Sequence, residues 1–416
     1  MILISKKTLA LLAVFIIRVP ALFSEELSWE EALSEAKSLN PALAQARQAV
    51  KAAKQYYFRS YSAFLPSLSA NAASNQGESD SSGFSKDYSY GLSASLTLFS
   101  GFADIAEARS RDCDLKLAEL AYSRALSDVE YNLKKSYVNL QWAQETVRLS
   151  EEILKRRTEN YEMIKLKYEA GSEDRGSLLR IEADKSQAEF DLSKAKRALS
   201  SASLQLVKAM GRDGFEGVTA KDKLPETPPA RVVAVEEAVK KIPEYNMAGY
   251  ALAKASLSRV SARGGLWPDI TATASKSKSG AEWPPETNRW NAGINISYSF
   301  FPGGRNIFDV NIADINKSIA EASFKETTQQ LSVKLDSAVN AYLDSMENIK
   351  VREKFLTASR EQSDITTAKY INGLASYQDW YVIENDYIAS QRSMLNAKRD
   401  AHLSKAGLDN TLGLGD

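Results

Sequence analysis

The chain has 416 residues, and its 53 Lys and Arg are balanced by 53 Asp and Glu. Its single cysteine, Cys113, excludes a disulfide framework and a cysteine-based zinc site, and the single histidine, His402, excludes a histidine-rich metal centre. Balanced charge argues against a nucleic-acid partner. The sequence has no phosphate-binding loop, nucleophile elbow or zincin motif, so we expect neither a cofactor nor an enzyme. We interpret Cys113 as a packed thiol and His402 as a helix-surface residue.

The N-terminal segment is typical of a secretory signal. Lys6 and Lys7 precede an apolar run at residues 9–17, and small residues follow at Ala21 and Ser24. That run is too short to cross a bilayer as a helix, which needs about 20 residues. We predict a signal peptide at residues 1–24; the alternative is a buried N-terminal helix.

The chain contains a tandem repeat. Residues 65–68 (LPSL) recur as residues 267–270 (WPDI), and residues 98–101 (LFSG) recur as residues 300–303 (FFPG), each pair 202 positions apart. Further landmarks keep this offset, which chance would rarely produce. We predict one architecture in two copies joined by a Pro-rich linker. The predicted units are residues 25–211, the linker 212–232 and residues 233–416.

Long helices fill most of each copy. Residues 103–170 contain no proline or glycine, which allows a helix of up to 68 residues, or about 100 Å. Ala and Leu recur at 4-3 spacing over residues 188–206, which is typical of coiled coils. Gly171 and Gly373 allow tight turns between helices. The predicted long helices are residues 102–170, 172–211, 304–372 and 374–412. A soluble rod remains an alternative for these helices alone.

Four segments between the helices alternate with period two. In one of them Leu92, Ala94, Leu96 and Leu98 alternate with serine, threonine and Phe99. Alternation over about 10 residues is typical of a membrane-spanning strand, and small uncharged side chains on the other face suit an aqueous lumen. Aromatic residues near the segment ends suit the membrane interfaces. The predicted strands are residues of about 66–75, 88–99, 268–277 and 290–301.

Strand counting predicts an oligomer. Hydrocarbon does not tolerate the open edges of a four-stranded sheet, and a small barrel needs about eight strands. Two chains would supply eight strands and three would supply twelve. The alternative is a soluble sheet whose apolar face packs under helices.

These features together resemble the TolC-type outer-membrane efflux family. The likeness rests on Leu65-Pro66 and Trp267-Pro268 before a strand, Phe99-Ser100-Gly101 and Phe301-Pro302-Gly303 after one, and residues 370–376 (YINGLAS) at a helix turn. It implies a mainly α fold with a membrane β-barrel. Three chains would each give four strands to one twelve-stranded barrel in the outer membrane, and the long helices would continue it as a coiled-coil tunnel through the periplasm.

The resemblance also implies a function. It predicts a passive trimeric exit duct of a tripartite efflux pump or a type I secretion system. The partners would be outer-membrane lipid, a periplasmic adaptor (membrane fusion) protein and an inner-membrane transporter that energises export. The helix turns would form the periplasmic tip that contacts the adaptor. The predicted tip residues are Gly171, Ser172, Gly373, Leu374 and Ala375.

Carboxylates beside the tip are candidate gate residues by the same resemblance. A family aspartate six residues after the tip glycine faces the narrow end, and Asp379 holds that position in the second copy while Ser177 holds it in the first. Half of an acidic ring is therefore missing, although three Asp379 carboxylates near one axis would attract cations. Glu173, Asp174 and Arg175 could form ion pairs that close the tip.

Each of these assignments has a competing interpretation. The tip charges could be solvated groups on helix ends, and Ala375 stands where the family often has an arginine. For the whole chain, the alternatives to a duct are a periplasmic coiled-coil scaffold without transport activity and a periplasmic enzyme. The alternating strands favour the duct.

Overall fold

The computed structural model describes residues 25–79, 83–214, 216–225 and 234–414. The predicted signal peptide lies outside these residues, as does most of the Pro-rich part of the predicted linker. Within them the chain forms eight α-helices. They are α1 (Trp29–Leu39), α2 (Pro41–Ser60), α3 (Ala103–Glu169), α4 (Arg175–Met210), α5 (Val235–Val239), α6 (Pro243–Gly264), α7 (Arg305–Ile371) and α8 (Tyr377–Thr411). The strands are β1 (Glu25–Leu27), β2 (Ser67–Ser79), β3 (Gly83–Ser100), β4 (Val218–Ala220), β5 (Asp269–Gly280) and β6 (Thr287–Ser297).

The two longest helices, α3 and α7, have 67 residues each, which corresponds to about 100 Å. α3 and α4 form one antiparallel hairpin and α7 and α8 form the other. α3 also packs against α8, so the helices lie side by side in the order α4-α3-α8-α7. Towards the sheet, α2 and α6 take the places of α4 and α8, which gives the order α2-α3-α6-α7.

The heptad positions of the predicted seam lie in the helix packing. Ala188, Ala195, Ala202 and Leu206 of α4 are all buried. Met394, Ala397, Ala401 and Leu408, which are positions of the corresponding seam on α8, are buried as well. Small side chains on this seam allow the helices to approach closely. The coiled-coil pairing expected from the 4-3 spacing is confirmed.

Among the described helices, none is both long and apolar enough to cross a bilayer.

Four antiparallel strands form one sheet in the order β2-β3-β5-β6. The two hairpins therefore meet at β3 and β5, and β2 and β6 are the edges. This order follows the order of the helices, because each strand continues into a helix of its own copy. The sheet and the helix layer therefore form one continuous wall that is open along both sides.

The strand register separates an apolar face from a polar face. Leu68, Ala94, Ala274 and Ala292 lie in one cross-strand row, and the row on the other face contains Ser69, Ser93, Ser275 and Asn291. The hydroxyls of Ser69 and Ser93 lie 2.7 Å apart. This row of the polar face therefore presents hydroxyl and amide groups, as expected for a wet lumen.

Three details differ from the expectations. β3 begins at Gly83, earlier than expected, and β6 ends at Ser297, before Tyr298 and Phe300. A bulge between Thr97 and Phe99 shifts the register, so Phe99 pairs with Ile270 on the apolar face. The assignment of Phe99 to the polar face was therefore wrong, because strict alternation does not take a bulge into account.

A core near the middle of α3 joins the first copy to the linker. Leu133, Leu140 and Leu206 are fully buried there, and β1 pairs with β4 in parallel. The predicted linker thus contains the strand β4. Val218 and Ala220 of this strand are buried in the core. His402 also lies here: it is buried, and its Nε2 is 3.0 Å from the carbonyl oxygen of Pro225. The interpretation of His402 as a helix-surface residue was wrong.

Candidate functional site

The end of the two helical hairpins is the candidate site, and the same turn forms it in both copies. α3 and α7 each end in a Schellman motif with glycine in the left-handed conformation, at φ +73° for Gly171 and for Gly373. The amide of Ser172 donates to the carbonyl of Lys167 and the amide of Leu374 donates to that of Lys369, both at 2.8 Å. Leu374 is exposed, as are both glycines and Ser172, whereas Ala375 is half-buried. The turns therefore present an exposed surface at the end of the bundle.

Asp379 and Ser177 hold equivalent positions in two helix caps in which serine and aspartate are exchanged. In the second copy Ser376 is the N-cap residue: its hydroxyl accepts from the Asp379 amide at 3.1 Å and donates to the Asp379 carboxylate at 2.6 Å. In the first copy Asp174 is the N-cap residue, and its carboxylate accepts from the amide and hydroxyl of Ser177 at 2.9 and 3.0 Å. Serine and aspartate have exchanged places, so each tip keeps one carboxylate in the N-terminal cap of its second helix.

Because of this exchange, both tips carry an acidic residue. The first copy has Ser177 six residues after its glycine, but Asp174 supplies a carboxylate three residues earlier. The hydrogen bonds from the Ser177 amide and hydroxyl hold the pKa of Asp174 below its usual range. Both Asp174 and Asp379 are exposed. Each chain therefore has an exposed carboxylate in each of its two tip caps.

An aromatic cluster of the second-copy tip packs against apolar residues of the first copy. Tyr370 stacks on Trp380 with ring centroids 5.0 Å apart, and both side chains are buried. Ile164 and Ile181 of the first copy complete the cluster. Burial, followed by the neighbouring Tyr381, raises the pKa of Tyr377 to about 12.

Hydrogen bonds across the two copies add to this packing. The Tyr370 hydroxyl donates to Oε1 of Glu173 at 2.5 Å, and Nε of Arg180 donates to the Tyr381 hydroxyl at 2.7 Å. The Tyr377 hydroxyl donates to the Ser177 carbonyl at 3.4 Å. Burial, followed by the bond to Glu173, raises the pKa of Tyr370. Glu173 is thus held by a tyrosine of the other hairpin.

The three charged residues predicted as gate ion pairs have separate environments in the single chain. Glu173 accepts from Tyr370, and Asp174 caps α4. Arg175 is exposed, and within the described residues no carboxylate lies within salt-bridge distance of it. Their role as a gate stays a prediction, since contacts between chains would decide it.

A buried ionic network lies above the tip, between α3, α7 and α8. Arg156 forms a bidentate pair with Glu384, with Nη2 and Oε2 2.9 Å apart and a second bond from Nε to Oε1. Asn160 Nδ2 also donates to Oε1 at 3.1 Å, and the Ser363 hydroxyl donates to Oε2 at 2.9 Å. Only 1% of the Glu384 surface is exposed. Three side chains from α3 and α7 therefore donate to one buried carboxylate on α8.

The charge state of this network is fixed by its hydrogen bonds. Burial alone would raise the pKa of Glu384, but the bonds and charge of Arg156, with the bonds from Asn160 and Ser363, outweigh burial and lower it. The pair with Glu384 likewise raises the pKa of Arg156. The guanidinium also lies 4.8 Å from the centre of the Tyr387 ring. Both partners are therefore charged at neutral pH.

Sequence reasoning did not identify Arg156, Asn160, Ser363 or Tyr370 as site residues. Glu384 lies 202 positions after Glu182, at the repeat offset, yet Glu182 is exposed. The residue at the position equivalent to Arg156 is Ala358. The repeat therefore could not reveal the network, and no three His, Cys, Asp or Glu in the described ranges cluster closely enough to hold a metal ion.

Comparison with known proteins decides the family. The profile described as outer membrane efflux protein matches the chain twice, at residues 32–212 and 234–414. The chain belongs to the outer membrane efflux protein family. It is accordingly a protein of the outer membrane, and the predicted resemblance and fold class are confirmed.

Relatives and solved structures agree with this membership. The chain is 22% identical over 349 residues to the cation efflux system protein CusC of Escherichia coli K12, covering 79% of this chain and 74% of that protein. A crystal structure of CusC superposes with a TM-score of 0.86 at 20% identity and covers 94% of each chain. The open-state outer membrane channel MtrE of Neisseria gonorrhoeae superposes with a TM-score of 0.83 at 22% identity, covering 93% of this chain and 89% of that one.

Proposed function

We propose that three copies of this chain form the passive exit duct of a tripartite efflux pump or a type I secretion system. The three sheets would close into one twelve-stranded barrel in the outer membrane, and the helices would form a tunnel below it. A periplasmic adaptor would dock at the tips, and an inner-membrane transporter would supply the energy. The periplasmic scaffold without transport activity is the alternative.

The open wall carries this proposal. β2 and β6 are edge strands of 13 and 11 residues. Such edges expose unpaired backbone groups, which a membrane protein must pair. Antiparallel pairing of β6 in one chain with β2 in the next would satisfy both edges and repeat the existing order. Twelve strands are within the range of known outer-membrane barrels.

The exposed side of α7 supports assembly at the same edge. Ile307, Phe308, Ile312, Ile315 and Ile319 are each more than half exposed, and the last four are spaced 4-3-4. In a soluble rod this apolar stripe would be exposed to water. A large exposed apolar stripe is typical of an interaction surface. In the proposed trimer the stripe faces α2 of the neighbouring chain. The unpaired edge of β6 and the exposed side of α7 would therefore both be covered by the same neighbouring chain.

The tip would be the gate of this duct. Three chains would bring six carboxylates, from Asp174 and Asp379, towards one axis. Like charges at close range repel one another and attract cations, so a closed tip needs bonds that hold it. The Tyr370–Glu173 hydrogen bond and the packing of Tyr370 and Trp380 against Ile164 and Ile181 supply such contacts between the two hairpins. An adaptor that loosens them would open the duct.

Oligomeric mass and conductance test the proposal together. The full chain is 45.9 kDa, so the detergent-extracted protein should have about three times the mass of the mature chain and should conduct ions in a planar bilayer. Ile315→Glu should reduce the trimer fraction, whereas Lys325→Glu, at an exposed position of the same helix, should not. A monomer recovered without detergent from the periplasm would support the scaffold instead.

A further inference from the structure

The apolar face of the sheet contains a groove lined by alanines. Two adjoining cavities, of about 570 and 500 Å³, follow one another down this face. Ala70, Ala72, Ala94, Ala274 and Ala292 form the floor, because their short side chains leave space between larger neighbours. Leu68, Leu92 and Trp290 stand at its sides, and all three are strongly exposed. The groove is therefore largely apolar and open towards the surroundings of the sheet.

Two lysines lie at the end of this groove that is nearer the β2–β3 and β5–β6 turns. Lys276 sits in the row of Ala70, Leu92 and Trp290, and Lys278 sits in the row of Ala72, Tyr90 and Asn288. Both therefore share the apolar face with the leucines and alanines. The two Cα atoms are about 7 Å apart along one strand, which is close enough for both ammonium groups to reach one phosphate.

These lysines form no ion pair with the described residues of the sheet. No carboxylate of the described residues lies within salt-bridge distance of either ammonium group. Lysine on a lipid-facing strand is unfavourable at mid-membrane and is tolerated near an interface. The aromatic rings of Tyr90, Trp290 and Trp283 mark such an interface, and the centroids of the Tyr90 and Trp283 rings are 5.9 Å apart. The cationic end of the groove thus lies at the level of lipid headgroups.

We propose that this groove binds a phosphate-bearing lipid of the outer membrane. Its acyl chain would lie along the alanine floor, and its phosphate would lie between Lys276 and Lys278 with the Asn288 amide beside it. The inference rests on the proposed function in one respect, that the apolar face of the sheet meets lipid. It adds a headgroup preference that a merely apolar face would not have.

Native mass spectrometry of the detergent-purified protein tests this assignment. Lipid A with both phosphates would be titrated against dephosphorylated lipid A and inorganic phosphate. The phosphorylated lipid should remain bound, and Lys276→Gln or Lys278→Gln should each weaken it about fivefold. Arg289→Gln is the matched control: it removes one positive charge from the neighbouring strand, in the row of Ser277 on the opposite face.

The outcomes separate the lipid site from the proposed duct. Equal binding of the dephosphorylated lipid, or unchanged binding by both lysine variants, would overturn the proposal. Equal weakening by Arg289→Gln would overturn it too, because general electrostatic attraction would then suffice. Inorganic phosphate that binds with the same lysine dependence would assign an anion site in place of a lipid site. The oligomeric mass is read in the same spectra, so failure of the trimer is seen independently of lipid binding.

Discussion

Removal of either partner of the Arg156–Glu384 pair should loosen the lower half of the helical bundle, and the two removals should differ in cost. Arg156→Met leaves the Glu384 carboxylate, only 1% exposed, without its counter-charge. Glu384→Leu leaves the guanidinium of Arg156, whose side chain is 30% exposed and can reach water. The arginine replacement should therefore be the more damaging one.

The size of each effect follows from burial. Breaking one side of a buried ion pair costs about 3–5 kcal/mol, so we expect about 4 kcal/mol for Arg156→Met. Partial exposure of the remaining guanidinium reduces the expected cost of Glu384→Leu to about 2 kcal/mol. Replacement of both should lie within about 1 kcal/mol of the parent, because well-packed apolar side chains often replace a buried pair without loss.

Amide hydrogen exchange measures these costs locally. In peptides that span residues 156–160, each 1.4 kcal/mol corresponds to about tenfold faster exchange, so the arginine variant should exchange about 700-fold faster and the glutamate variant about 30-fold faster. Arg148→Met is the control, since Arg148 is 60% exposed and its pairs lie on the surface; it should change exchange by less than about threefold. Additive losses in the double variant would refute the reasoning.

The same network predicts an acid limit. The pKa of Glu384 is lowered in the folded chain, so its stabilisation is complete above the ordinary glutamate pKa of about 4.3 and is lost as the pH falls through the lowered folded value. Protection of these amides, corrected for intrinsic exchange, should therefore decline below about pH 4. The double variant should show a smaller decline over that range, and an equal decline would assign the acid sensitivity to other groups.

Three further substitutions test the tip. Tyr370→Phe removes a hydrogen bond to a carboxylate, worth about 1.5 kcal/mol, and should make opening events in planar bilayers about tenfold more frequent, whereas Tyr168→Phe, at an exposed tyrosine, should not. Asp379→Ala should weaken divalent-cation block of single-channel current. The residual block should persist as the pH is lowered, because the pKa of Asp174 is below its usual range. Unchanged block would reject Asp379 as part of the cation site. Gly373→Ala introduces a Cβ with no atom within 4 Å but keeps φ at +73°, so it should cost about 1 kcal/mol and speed amide exchange at the tip about fivefold; a much larger effect would indicate a steric contact.

The repeated elements could be predicted because local rules determine them. A stretch without proline or glycine predicts a long helix, and α3 follows that rule from Ala103 to Glu169. Alternation with period two predicts which side chains share a face of the sheet, since successive residues must point to opposite sides. Copy-to-copy comparison then located the tip at Gly171 and Gly373. These inferences need no knowledge of how distant helices pack.

The remaining features depend on the three-dimensional register, which local patterns do not contain. The bulge that moves Phe99 to the apolar face follows from pairing between β3 and β5. The burial of His402 follows from the linker, which places the Pro225 carbonyl 3.0 Å from its ring. The exchange of Ser376 and Asp379 for Asp174 and Ser177 was hidden because comparison at fixed offset finds identical residues and misses swapped partners.

The two junctions between repeats are chemically unequal, and this bears on how the duct opens. Within one chain, Arg156 of α3 and Glu384 of α8 close the junction. The equivalent junction in the proposed trimer joins α7 to α4 of the next chain, and there Ala358 replaces the arginine. Ala358, Ser359 and Gln362 of α7, together with residues of α8, line a groove of about 560 Å³ within the single chain. In the proposed trimer the junction between chains therefore lacks the arginine that forms the ion pair within a chain.

The presence of the ion pair at one junction only determines how far the helices can separate at each junction. From Arg156 to the end of α3 at Glu169 the helix rises about 20 Å, so the α7–α8 hairpin can move away from α3 only over that length while the buried pair holds. The junction between chains has no equivalent pair, and we expect it to separate further up the tunnel. Tyr370 and Glu173 lie below the pair, within the segment that is free to move. Tip bonds would then control whether the duct opens, and the Arg156–Glu384 pair would limit how far each chain deforms.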